Sequence, residues 1–110
     1  MKIRTADLTG PALDWAVAKC EGVEVTYLDD GITRCLLRDP SGRFSPSTDW
    51  QEGGPIIERE GIALLPEHEW CGYIDNIRSQ KYGPTPLIAA MRCFVASRLG
   101  DEVDIPEELL

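Results

Sequence analysis

The chain holds no CxxC pair and a single histidine, and no apolar run approaches the roughly 18 residues that span a bilayer. The missing apolar run excludes a membrane-spanning helix. The N-terminal "MKIRTADL" has two basic residues but no apolar stretch behind them, so no signal peptide is visible and a cytoplasmic location is expected. With cysteines at 20, 35, 71 and 93 and none closely paired, no finger-like zinc spacing forms. His68 and Cys71 in "HEWC" are two ligands where four are needed, so no metal is expected. In a reducing cytosol the cysteines are expected as thiols, and Cys20, Cys35 and Cys93 lie beside apolar neighbours as small core residues do.

Lys and Arg are not clustered anywhere, which argues against direct binding to a nucleic-acid backbone. The net charge is −8, but the last ten residues, "DEVDIPEELL", carry five acids and no base, leaving −3 over residues 1–100. The body is nearly balanced and residues 101–110 form an acidic end. Neither GxxxxGK[ST] nor GxGxxG occurs, so no nucleotide cofactor is called for. His68, between two acids in "PEHEW", reads as a solvated side chain and not as a catalytic base. No set of residues specifies a reaction, and no catalytic residue or cofactor is assigned.

What is present is a globular pattern. With 110 residues, 43% hydrophobic and 27% charged, the chain is expected to be one domain, 1–110, with a core of its own. "LTGPALDWAVAKCEG" predicts a first helix, with Thr9 as N-cap, Pro11 in the first turn and Gly22 at its end. Leu13, Ala16, Val17 and Cys20 make its apolar face, and Trp15 falls off that stripe. "VEVTYL", "DDG" and "ITRCLLR" predict a β-hairpin over residues 23–38, followed by a turn at "DPSG". "ALLPEHEWCGYI" predicts one or two short strands interrupted around Pro66, and "DNIRSQKYG" a connection. "TPLIAAMRCFVASRLG" is the strongest element, a helix capped by Thr85, opened by Pro86 and ended by Gly100. The expected architecture is α+β: a long C-terminal helix and an N-terminal helix packed on a small, mainly antiparallel sheet.

One stretch, "FSPSTDWQEGGPIIEREGI", is too irregular for one element. Ser45, Ser47, Thr48 and Asp49 are residues that build turns and caps, and Gly53-Gly54-Pro55 is expected to start a short helix, "IIERE", ended by Gly61. Structurally, these residues order a loop with Trp50 as a hydrophobic plug. Functionally, Ser47, Thr48, Asp49 and Trp50 present a recognition surface, Gly53, Gly54 and Pro55 leave backbone open to a partner, and Asp14 and Trp15 on the first helix adjoin it.

"LTGPALDWAVAKCEG", "FSPSTDWQEGGPIIEREGI" and "GPTPLIAAMRCFVASRLGDEVDIPEEL" resemble, in order, three signature blocks of the NinX-like phage proteins. These are small proteins of temperate phages and prophages of enteric bacteria, and the family's function is unknown. The resemblance implies a phage-encoded accessory protein in the host cell, and by gene context a role near phage DNA metabolism. It carries no catalytic assignments. Thr48, Asp49, Trp50, Gly53, Gly54 and Pro55 lie within one of its blocks.

The leading expectation is a non-enzymatic module that binds a host or phage protein through the Asp49–Trp50 region. A second is a small-ligand or nucleotide-binding protein or enzyme using the 48–55 loop, and a third is acidic mimicry of DNA by residues 101–110. Oligomeric state is left open.

Overall fold

The computed structural model describes residues 1–38, 42–74 and 76–110, with 76–79 described by their backbone alone. In chain order the elements are β1 (Lys2–Arg4), α1 (Gly10–Glu21), β2 (Thr26–Asp29), β3 (Arg34–Arg38), β4 (Gly42–Phe44), α2 (Trp50–Glu60), β5 (Ala63–Pro66), β6 (Trp70–Ile74), β7 (Asn76–Gly83), α3 (Pro86–Leu99) and β8 (Glu102–Asp104). The α+β expectation holds. Its strands divide into three small antiparallel sheets: β1-β8, β2-β3-β4 and β5-β6-β7.

α3 is the central element. Thr85 Oγ1 accepts the Ile88 N–H at 3.1 Å, closing the first turn next to Pro86. Leu87, Ala90, Met91, Phe94 and Val95 are buried as the apolar stripe requires, and so are Ala89 and Cys93, because α3 is enclosed on more than one side. Leu13, Ala16 and Val17 of α1 join the same core, with Leu36 and Phe44 from the β2-β3-β4 sheet. Two glycines let α3 lie close on its sheet. A Cβ on Gly72 would come within 3.0 Å of the Ala89 carbonyl oxygen, and one on Gly83 within 2.8 Å of the Ala89 nitrogen. Arg92, off the apolar stripe, donates to the main-chain oxygens of Leu8 and Tyr82 at 2.8 and 2.7 Å.

Several sequence expectations need correction. "DNIRSQKYG" is not a connection: residues 76–83 form β7, paired with β6, while Asp75 lies outside the described residues. The turn expected at 39–42 also lies outside them, except Gly42, which opens β4. β4 was not foreseen; its Phe44 pairs with Leu36 and is buried, so the quoted loop begins one residue later. The C-terminal segment is anchored and acidic at once. β8 pairs with β1, and Val103, Ile105 and Leu109 are buried.

α2 starts earlier than expected. It begins at Trp50, so Gly53, Gly54 and Pro55 lie inside the helix and not before it. Asp49 supplies the cap, its Oδ1 accepting the Gln51 N–H at 2.9 Å. Packing overrides the poor helix propensity of Gly-Gly-Pro. A Cβ at position 53 would stand 2.5 Å from the Pro46 carbonyl oxygen and 2.6 Å from Leu87 Cδ2, so only glycine lets the helix seat there. Near its end, Arg59 bridges to Glu21 of α1, and Glu60 accepts from Arg98 of α3 at 2.9 Å. This charged cluster joins the three helices over the Phe94 ring, with Arg59 and Arg98 5.8 and 5.3 Å from its centroid.

Candidate functional site

The segment between β4 and α2 is a rigid turn. Thr48 and Asp49 donate their N–H groups to the Ser45 carbonyl at 3.1 and 2.9 Å. Two carboxylates from opposite sides take the remaining amides. Glu52 Oε1 accepts the Ser45 N–H at 2.8 Å, and Asp14 Oδ1, from α1, accepts the Ser47 N–H at 2.8 Å. Pro46, between them, has no N–H to satisfy and is fully buried. The turn is fastened to both helices through its own backbone.

Asp14 was expected at the surface beside the loop, but it is only 6% exposed. Burial pushes its carboxyl up to about 6; the Ser47 amide and side chain pull it back, and the negative charge of Glu52 adds to the rise. Although the Ser47 side chain is near enough to favour the carboxylate, its geometry falls short of a hydrogen bond. Among the described residues, Ser47 Oγ is the buried side-chain oxygen or nitrogen that lacks a hydrogen-bond partner.

Trp50 is the reverse case. It is 55% exposed on the first turn of α2, which excludes the plug expected from sequence. Beside it runs a groove of about 220 Å³ lined by Ser47, Thr48, Thr85, Pro86, Leu87 and Ile88. Thr48 also borders a second groove, of about 170 Å³, that reaches Asp14 and is flanked by Arg34 and Arg43. The turn therefore separates two concave surfaces.

The other sequence candidates disperse. Asp49 is occupied by the helix cap. Gly53 is covered by Pro46, so no open backbone remains there for a partner or an anion. Pro55 borders a third groove with Glu21, Arg38 and Arg59. Trp15 is half-buried, with the Lys19 ammonium 5.1 Å from its ring centroid, and lines a groove with Val23, Val25 and Leu37. Trp15 and Trp50 thus serve different surfaces.

Sequence reading missed Thr85, Pro86 and Ile88 as neighbours of Trp50, and Arg34 and Arg43 as neighbours of Asp14. Nothing in a one-dimensional pattern brings these together. Glu52 did leave a signal, because Asp-x-x-Glu is a capping pattern. Here the glutamate reaches past the cap to Ser45.

His68 is exposed in the turn between β5 and β6, whereas Cys71 is fully buried. Among the described residues no three His, Cys, Asp or Glu side chains gather as a metal site. Burial pushes the Cys20 and Cys93 thiols up to about 11, so both stay protonated and are poor nucleophiles at neutral pH.

A family model described as Bacteriophage P22, NinX matches residues 4–98. The chain belongs to the phage NinX family. The match spans α1, the turn at Ser45–Asp49, Trp50 and α3 as far as Arg98, so the residues that line both grooves lie inside the matched region. No curated protein matches the chain. Among the described residues no helix is long and apolar enough to cross a membrane.

Proposed function

We propose that this NinX-family chain is a phage accessory protein that binds a host or phage protein in the host cytoplasm, with Trp50 as its anchor. The observation that carries the reading is the setting of Trp50. A large indole stands exposed on a helix whose first turn is fixed by Asp49, beside a groove walled by Thr48, Thr85, Pro86 and Ile88. Rigid, exposed tryptophans beside pockets are characteristic energetic centres of protein interfaces. Little ordering entropy is lost on binding, because the turn is already held by Asp14 and Glu52.

The test is capture of the tagged protein from phage-infected cells, wild type beside Trp50→Ala, followed by calorimetry with the purified partner. The variant is expected to keep its circular dichroism spectrum and to lose at least about tenfold in affinity. Equal capture and affinity for the two proteins would remove Trp50 from the interface.

A further inference from the structure

The tip of the β2-β3 hairpin carries the most exposed large apolar side chain among the described residues. Ile32 is 94% exposed, against 66% for Met1 and 55% for Trp50. Scattered apolar side chains are ordinary on a surface. What sets Ile32 apart is that the chain holds it there. Asp30 Oδ1 accepts the N–H groups of Ile32 and Thr33 at 2.9 and 2.6 Å, and Asp29 Oδ1 accepts that of Gly31 at 3.0 Å. The Asp30 N–H closes the turn on the Thr33 carbonyl at 3.3 Å. Every amide from Asp30 to Thr33 is thus satisfied within the tip, and Gly31 takes the positive φ of 85° that the bend needs. The result is a fixed knob with an apolar end and an acidic collar, Asp29 and Asp30.

Beside the hairpin lies a groove of about 410 Å³, where the start of α1 meets the C-terminal segment. Ile3, Leu8, Pro11, Ala12 and Leu109 give it apolar walls, and Arg34 of β3 supplies a cation. The acidic side chain in the groove, Asp7, is matched by Arg4, whose Nε donates to it at 3.0 Å. Arg34 gives its Nε to the Tyr27 hydroxyl at 2.6 Å, and Asp29 stands 3.8 Å away. The other N–H groups of that guanidinium are left as donors. An apolar groove with a cation is the complement of an apolar knob with an acidic collar.

Knob and groove are neighbours in the chain but do not meet within it. Arg34 lines the groove, whereas Ile32, two residues before it, stands in solvent. A two-fold axis brings such neighbouring features together, since each copy then offers its knob to the groove of the other.

We infer that two copies of this chain pair about a two-fold axis, the Ile32 tip of each seated in the Leu8–Leu109 groove of the other. Removal of two isoleucines from water drives the pairing. Asp30 of each tip meets Arg34 of the other copy and sets the orientation. Two tips in two grooves make a small interface, so the dimer is weak and depends on concentration. Trp50 takes no part in it, and the inference stands apart from the Trp50 reading.

The test is sedimentation equilibrium of the full chain between about 10 and 500 µM, the range in which a small interface acts. Wild type is expected to pass from monomer toward dimer across the series. Ile32→Asp alters a side chain held clear of the fold, and is expected to stay monomeric with an unchanged circular dichroism spectrum. Thr9→Glu tests the groove. Thr9 is exposed, lines the groove and makes no capping hydrogen bond with its side chain, so the fold tolerates the change. The added carboxylate repels the acidic tip, and this variant is also expected to stay monomeric. A wild type that is monomeric throughout overturns the inference and leaves the tip for a different protein. Wild-type association retained by either variant overturns it too, since the contact then lies on another face.

Discussion

Asp14 Oδ1 accepts the main-chain N–H of Ser47 at 2.8 Å in the protein interior, and this bond fixes α1 to the turn that precedes α2. The carboxyl makes it without a cationic partner among the described residues, and the pH dependence follows. Its value rises from 3.8 unfolded to about 6 folded, so its contribution to stability is fully present below about pH 3.8 and is lost as pH rises through 6. The difference is at most about 3 kcal/mol. Asp14→Asn keeps the acceptor and removes the charge, so it should exceed wild type in stability by about 1–3 kcal/mol at neutral pH, with the gap closing toward pH 4. Asp14→Ala leaves the Ser47 amide unpaired and should fall below Asp14→Asn by about 1–3 kcal/mol. Urea midpoints of the three proteins between about pH 4 and 8 read both effects. Parallel curves for wild type and Asp14→Asn would refute the buried-charge account.

Gly53 and Gly54 are adjacent in one helix, and their substitutions should have opposite signs. At Gly53 a methyl group meets the Pro46 backbone and Leu87, so Gly53→Ala must displace the turn or the helix and should cost about 1–3 kcal/mol. At Gly54 nothing stands within 4 Å, and alanine should stabilise by about 0.5–1 kcal/mol through helix propensity alone. Chemical denaturation of the two variants separates packing from propensity. Equal effects of the two substitutions would mean that the contact with Pro46 does not hold the helix in place.

The same pair explains what was legible in the sequence. α1, α3 and the β2-β3 hairpin were readable because local signals agree: Pro11 and Pro86 in first turns, Thr85 as cap, and apolar residues at helical or alternating spacing. α2 was misread because Gly-Gly-Pro argues locally for a loop, and the reason it is helical lies on Pro46 and Leu87. β7 was hidden because "NIRSQKYG" has few apolar residues, and its identity as a strand comes from pairing with β6. The β1-β8 pair joins three-residue segments from opposite ends of the chain, too short and too distant for any local pattern. Of the site, the turn-building role of Ser45, Asp49 and their neighbours was readable. The burial of Asp14 and the exposure of Trp50 were not, since both depend on where the turn lies against α1 and α3.

The acidic C-terminal end gives the last prediction, because its charge and its packing can be separated. Truncation after Gly100 removes the β1 partner, the Asp101 carbonyl that accepts the Thr5 N–H at 2.8 Å, and three buried side chains, Val103, Ile105 and Leu109. At about 1.5–3 kcal/mol for each large apolar side chain, the loss rivals the roughly 5–15 kcal/mol that holds a whole domain folded. The truncated chain should be largely unfolded by circular dichroism, so its loss of any partner would say nothing about charge. Glu102, Glu107 and Glu108 are exposed, and replacing all three with Gln should change stability by less than about 1 kcal/mol while removing three negative charges. That variant is the proper probe of DNA mimicry: capture of a basic partner by wild type and not by the triple variant would support it, and unchanged capture would exclude it. A truncated chain that melts with wild-type cooperativity would show instead that β8 and the residues after it are not part of the core.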